Sequence, residues 1–223
     1  QERRMSNRSI ELGDELYSYL LDVSLREHPV LRALREETLQ LDMARMQIAP
    51  EQGQFMSLLL KLIGARSYLE VGTFTGDRAL VCALALPADG EVVALDISEE
   101  WTAIAERYWA QAGVRERIAL HLGSASETLH RLIETEQGGF DAVFVDADKS
   151  SYASYIQAGF ELLRPGGMLM IDNVLWSGAV VDQACDDEDT VAIRRVNEAM
   201  LHDERWDISL VPIGDGLTVA RKR

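Results

Sequence analysis

The sequence predicts a doubly wound α/β fold, with a mostly parallel sheet of about seven strands, a helical N-terminal extension and an antiparallel C-terminal hairpin. Three observations predict it. Short apolar runs at "SYLEV", "EVVALD", "RIALH", "FDAVFVD" and "GMLMID" are each followed by a helix-length segment or a turn signal, which is how buried parallel strands read. The runs "WDISLV" and "LTVARKR" are separated only by "PIGDG", a hairpin signal carried by Gly214, Asp215 and Gly216. Ahead of them all, from Ile10 to about Ile63, apolar residues recur at helical spacing.

Taken in order, Leu12, Leu16, Leu20 and Val23 form one helical series, and Leu31, Leu34, Thr38 and Leu41 form a second. "PEQGQFMSLLLKLIG" reads as a third helix, with Pro50 in its first turn and Gly64 just past its end. The strands and their intervening helices follow, and the hairpin closes the series. No internal repeat, low-complexity tract or interdomain linker interrupts it. The expectation is a single domain, 1–223, with a helical extension at 1–45 and a ligand-binding core at 46–223.

An apolar content of 47% suits a full core, and the net charge of −15, from 22 basic and 37 acidic residues, argues against a nucleic-acid surface or an anionic membrane as partner. Cys82 and Cys185 lie too far apart for a disulfide framework or a zinc pattern, which fits a reducing cytoplasm. The opening "QERRMSNRSI" has no apolar core of a signal peptide and no initiator Met, and no stretch is long enough to span a bilayer.

The stretch "LEVGTFTGDRAL" carries the first candidate site. In open α/β sheets, ligands bind beyond the carboxyl ends of the strands at the topological switch point. Here the first strand runs into Gly72 and Gly76, a G-x-x-x-G spacing rather than the G-x-G-x-x-G of a dinucleotide turn, so no pyrophosphate is expected to lie over the helix. The second strand ends at Asp96, where a carboxylate can accept both hydroxyls of a ribose. An ordinary strand-to-helix turn with a strand-end Asp gives the same pattern; together the two elements favour a nucleoside ligand.

At these residues the chain resembles a known family. "LEVGTFTGDRAL", "ALDIS", "FDAVFVDADKSSY", "GGMLMIDNVLWSG" and "PIGDGLTVARKR" follow one another as in the S-adenosylmethionine-dependent, divalent-metal-dependent O-methyltransferases of the caffeoyl-CoA and catechol group. The likeness runs from about Met46 to the C-terminus. It implies a Rossmann-like methyltransferase sheet in which Glu70, Gly72 and Thr73 contact the methionine portion of the cofactor. It further implies that Asp96 holds the ribose, the Ala125 backbone meets the adenine, Asp148 and Tyr155 place the methionine end, and Met46 and Ile48 flank the reactive part. One position departs from the pattern: relatives usually read G-Y-S where this chain has Gly76-Asp77-Arg78. A cation in the first turn of a helix opposes the macrodipole, so Arg78 either forks onto the cofactor carboxylate or forms a surface pair with an acid such as Asp77.

The resemblance also implies a metal. Asp146, which belongs to the cofactor set as well, ends the fourth strand, and Asp172 and Asn173 end the fifth. Two carboxylates and a carboxamide without His or Cys suit a hard divalent ion, Mg²⁺ first and then Mn²⁺ or Ca²⁺. A phenolic hydroxyl titrates near pH 10, so a cation chelated by two vicinal oxygens would stabilise the phenolate. Lys149, in "DADK", would then accept the proton. Trp176 either stacks on an aromatic acceptor or serves as a core or lid residue. "DQACDDEDT" reads as an acidic loop whose Asp189 or Thr190 caps the next helix, and His28, His121, His130 and His202 show no metal-ligand spacing. The expected acceptor is a small aromatic hydroxyl compound, and free catechols are favoured over CoA esters because basic clusters are few outside "QERRMSNR" and "ARKR". The amphipathic N-terminal helices and the resemblance together imply a homodimer. The rival functions are methylation of a tRNA hydroxyl, nicotinamide-dependent oxidation and cofactor-blocked ligand binding.

Overall fold

Each apolar run becomes a strand in the computed structural model, which describes residues 9–223. The basic "QERRMSNR" segment and the first part of the expected extension lie outside the described residues. The strands are β1 (Ser67–Val71), β2 (Glu91–Asp96), β3 (Ile118–Leu122), β4 (Phe140–Val145), β5 (Leu163–Ile171), β6 (Trp206–Val211) and β7 (Leu217–Lys222). They form one sheet in the order β3-β2-β1-β4-β5-β7-β6. β1 to β5 pair in parallel, and β7 lies antiparallel between β5 and β6.

The helices are α1 (Asp14–Ser24), α2 (Pro29–Thr38), α3 (Pro50–Leu62), α4 (Asp77–Ala85), α5 (Glu99–Gln111), α6 (Ala125–Glu136), α7 (Tyr152–Leu162) and α8 (Glu188–His202). α3 begins on Pro50, whose missing N–H would have no intrahelical partner anyway, and Gly64 beyond its end takes φ +63°. Three sequence expectations shift. α2 ends at Thr38, so Leu41 lies beyond it. α1 starts at Asp14, so Leu12 precedes the helix, and α1 buries none of its residues. The cap of α8 is Asp187, whose carboxylate accepts Thr190 N–H, rather than Asp189 or Thr190.

Side-chain alternation splits the core into two layers. Tyr68, Phe144 and Met170 face one layer with Leu34, Met56, Leu60 and Trp109. Leu69, Val71, Val143, Val145, Leu169 and Ile171 face the other with Ile156, Leu162 and Ile193. Both faces are covered, which is why the strands read as unbroken apolar runs. Among the described residues no helix is long and apolar enough to cross a membrane.

The order of strands also positions the site. β1 has β2 on one side and β4 on the other, so the chain reverses direction across the sheet between β1 and β4 and opens a crevice at their carboxyl ends. The ladder continues one step past the strands: Gly72 N donates to Leu95 O, Asp146 N to Val71 O and Asp172 N to Val145 O. Gly72, Asp146 and Asp172 therefore leave adjacent strands side by side.

Candidate active site

The turn after β1 is shaped by its neighbours. Gly72 has φ +89°, and a Cβ there would lie 1.9 Å from the Asp146 carbonyl oxygen. Gly76 caps α4 with φ +83°, and its Cβ would meet Ala105 at 2.4 Å and the Trp109 ring at 2.8 Å. Both glycines thus answer to close packing of the chain against itself. Asp96 fastens the turn, with Oδ2 accepting Thr73 N–H at 2.9 Å and Phe74 N–H at 2.7 Å, and Oδ1 accepting Ser98 N–H at 2.8 Å. This carboxylate organises the loop and still borders the cleft it faces.

A cavity of about 1390 Å³ opens at these strand ends, more than the usual range for one small ligand. Of the residues singled out from sequence, Met46, Ile48, Gly72, Arg78, Asp96 and Ala125 line it. So do Asp146, Asp148, Lys149, Tyr155, Asp172 and Asn173. Glu70, Thr73 and Gly76 are not among its lining residues; Glu70 and Thr73 are fully buried and Gly76 caps α4. The non-glycine residues with positive φ among the described residues are Phe74, Asn173, Trp176 and Ser177, and all four line the cavity. Backbone strain concentrated in this way marks a functional site. Phe74 and Trp101 meet edge to face at 4.9 Å beside Asp96 and form an apolar wall of the cavity.

At the ends of β4 and β5, oxygens converge on one cation. Lys149 Nζ donates to Asp146 Oδ1 at 3.0 Å, Asn173 Oδ1 at 2.8 Å and Tyr152 OH at 2.5 Å, so all three ammonium protons are used. Tyr152 OH in turn donates a hydrogen bond to the Asp172 carbonyl at 3.2 Å. Asp172 is 2% exposed; burial, reinforced by the nearby Asp146 charge, pushes its carboxyl up. The donor set is hard oxygen throughout, and Asp146 and Asn173 already share a cation-sized point. These residues fit a hard divalent ion that takes two carboxylates and an amide; among the described residues, no cluster of three His, Cys, Asp or Glu gathers to offer another metal chemistry.

Of the two placements expected for Arg78, the surface pair with an acid such as Asp77 is not the one seen. Arg78 is 1% exposed. Its Nη2 donates to Gly72 O at 2.7 Å, its Nη1 lies 2.9 Å from Asp146 Oδ2, and its guanidinium stands 5.2 Å from the centre of the Phe144 ring. The macrodipole that disfavours it is outweighed by this ion pair. Burial works against its charge, but Asp146, Asp77 and Glu70 together hold its pKa above the ordinary value. Glu70 lies on the Tyr68 face of β1, fully buried, and burial raises it to about 8 despite the opposing Arg78 charge. Its Oε2 accepts the Tyr68 hydroxyl at 3.2 Å.

Two site residues escape a reading of the sequence. Tyr152 follows Lys149 by one helical turn, but its bond to the ammonium is a tertiary fact. Gln52 is 1% exposed, lines the cavity and leaves Nε2 without a hydrogen-bond partner. It occupies the buried face of α3 with Gly53, Met56 and Leu60, and a polar residue on that stripe is the signal that would have found it. Tyr155 OH donates to Asp148 at 2.7 Å, and the Trp176 ring stands 5.4 Å from Lys149 Nζ at the cavity wall.

The same architecture and sequence pattern recur in known proteins. The model of a family described as O-methyltransferase matches residues 21–223. Catechol O-methyltransferase domain-containing protein 1 of Mus musculus is 42% identical over 208 residues, covering 93% of this chain and 79% of its own. A caffeoyl-CoA O-methyltransferase of Eucalyptus gunnii is 38% identical over 231 residues, covering 99% and 92%. Among solved structures, the O-methyltransferase TomG from Streptomyces achromogenes in complex with SAM has a TM-score of 0.86 at 29% identity, covering 93% of this chain and 96% of that one. The O-methyltransferase from Bacillus cereus in complex with SAH has a TM-score of 0.84 at 28% identity, covering 92% and 96%. The nicotinamide-dependent alternative is thereby set aside: the chain belongs to the O-methyltransferase family.

Proposed function

We propose that this O-methyltransferase moves the methyl group of S-adenosylmethionine to one oxygen of a vicinal hydroxyl pair on a small aromatic acceptor, beside a hard divalent cation held by Asp146, Asp172 and Asn173. The observation that carries the reading is the convergence of Asp146 Oδ1 and Asn173 Oδ1 on one cation-sized point within the cavity that the β1 turn also borders. Relatives named for catechol and caffeoyl-CoA methylation, and neighbours bound to SAM and SAH, support it.

Asp96 receives the ribose, the Phe74 and Trp101 wall and the Ala125 backbone receive the adenine, and Gly72, Arg78, Asp148 and Tyr155 surround the methionine end. Met46 and Ile48 border the sulfonium. The cation, when bound, supplies charge that stabilises a phenolate whose parent hydroxyl titrates at about 10. Lys149 Nζ, as the free amine left once its ammonium has given a proton to solvent, takes the acceptor proton, and the donor and acceptor held in one cavity gain the advantage of proximity. Asp187, Asp189 and Asp215 line the same cavity, and this acidic lining favours free catechols over a polyanionic CoA ester. The exposed Leu16, Tyr19 and Val23 of α1 support a homodimer that covers them.

Methyl transfer to a series of catechols, assayed with Mg²⁺ and after exhaustive EDTA treatment, tests the reading. Turnover only on vicinal diols and only with the metal is the expected result; undiminished turnover after metal removal overturns it.

A further inference from the structure

Asp146 is held from two sides. Lys149 Nζ sits 3.0 Å from Oδ1, and Arg78 Nη1 sits 2.9 Å from Oδ2. The two cations differ in freedom. Lys149 is 7% exposed and makes three hydrogen bonds, but it lines the cavity on a flexible stem, so an ion entering there competes with it directly for Asp146 and Asn173. Arg78 cannot be displaced in this way, because it is 1% exposed, tied to Gly72 O at 2.7 Å and fixed at the start of α4. One oxygen of a cation-binding carboxylate therefore faces a fixed positive charge in the wall.

Charge counting gives the consequence. With the Lys149 ammonium displaced by the ion, Asp146 and Asp172 contribute two negative charges and the Arg78 guanidinium beside Asp146 cancels one. A divalent ion then leaves the group with one net positive charge in a partly desolvated place, where like charges repel more strongly than in water. A singly ionised acceptor oxygen restores neutrality. We infer that Arg78 is a built-in counter-charge that keeps divalent-ion binding weak in the free enzyme and couples tight binding of the ion to arrival of the ionisable acceptor. By thermodynamic linkage, the ion tightens the acceptor by the same factor. The inference rests on the proposed cation site and adds a residue that tunes it.

The test is direct titration with Mn²⁺, by calorimetry and by the loss of the free-ion paramagnetic resonance signal, with and without catechol. The proteins are wild type, Arg78→Met, and Arg78→Gln, which keeps a hydrogen-bond donor for Gly72 O should the apolar variant fail to fold. In wild type, catechol is expected to tighten Mn²⁺ binding by roughly tenfold or more, and the folded Arg78 variants should bind Mn²⁺ without catechol roughly tenfold or more tighter than wild type, as removing a unit charge beside a divalent ion requires. Equal or weaker Mn²⁺ binding by the folded variants, with a wild type that binds, overturns the role of Arg78. A wild type that binds Mn²⁺ equally well with and without catechol overturns the coupling. Absence of Mn²⁺ binding in every protein, catechol present, overturns the cation site itself and the inference with it.

Discussion

Lys149 Nζ lies 2.8 Å from the side-chain oxygen of Asn173, so the residue assigned to proton transfer and a residue assigned to cation binding meet at one point. Removing either donor to the cation should stop chemistry while sparing the nucleoside side of the cavity. Asp172→Ala and Asn173→Ala are each expected to lower methyl transfer at least about a hundredfold, in line with the loss of a metal ligand or its support. Calorimetry with S-adenosylhomocysteine should give nearly unchanged affinity; a parallel loss of that affinity would assign the two residues to the cofactor instead.

Lys149→Met should lower kcat by roughly a hundred- to ten-thousandfold, the usual contribution of a positioned acid or base, with little change in KM for the acceptor. Steady-state kinetics over a catechol series reads the split. An increase in KM alone would make Lys149 a binding residue.

Glu70 makes stability depend on pH. Its folded pKa of about 8 lies above the ordinary carboxyl value, and burial is the main cause. The folded state therefore binds more protons than the unfolded state between the two values, so this group's contribution falls as pH rises through that window and is lost above about pH 8. Glu70→Gln, which keeps the shape without the charge, should flatten the stability profile between pH 5 and 8. The lost slope should be on the order of 1 kcal/mol per pH unit at its steepest. Urea denaturation across that range measures it, and superimposable wild-type and variant profiles would refute it.

Asp96 serves two purposes that one substitution separates poorly but two separate well. Asp96→Ala leaves the N–H groups of Thr73, Phe74 and Ser98 without their acceptor and should cost about 1–3 kcal/mol of stability as well as cofactor affinity. Asp96→Asn keeps one acceptor oxygen and should recover part of the stability while affinity for a 2′,3′-dideoxy analogue falls less than affinity for the ribose form. Equal losses for both nucleosides would remove the ribose from the account.

The homodimer is tested on α1. Leu16→Asp and Val23→Asp add charge to side chains already exposed in the single chain, so a monomer should tolerate them with small stability changes. Sedimentation at micromolar concentration should show a dimer for wild type and a shift toward monomer for the double variant. A wild-type monomer would refute the assembly.

The sheet was legible because its strands are buried on both faces: "SYLEV" and "FDAVFVD" are apolar at most positions on each side, with Ser67, Glu70 and Asp141 as the exceptions inside the strands. The strand ends at Asp146, Asp172 and Asn173 were legible for the same reason, whereas their reading as cation donors came from the family resemblance. Arg78 was not. Its sequence neighbour Asp77 suggested a surface pair, whereas its partner Asp146 comes from a strand brought alongside only by the crossover. Gln52 and Tyr152 were obscured likewise, because their contacts run between elements. The spacing of the β1-turn glycines told only against a pyrophosphate, and the neighbours that require glycine there, Ala105, Trp109 and the Asp146 carbonyl, come from other elements.

The position of β7 has a consequence for biosynthesis. Although it follows β6 in the chain, it lies inside the sheet, against β5, and the loop leading into it pins the segment after Asn173 through Val174 N to Gly216 O, Leu175 N to Asp215 O and Ser177 N to Asp215 Oδ1. During vectorial synthesis, a nascent chain that has only reached β6 presents the open edge of β5 and an untethered Asn173 loop. Chain growth in the N-to-C direction thus delays the catalytic pocket until β7 has left the ribosome, and an emerging chain passes through an interval in which that edge is open to mispairing with another strand.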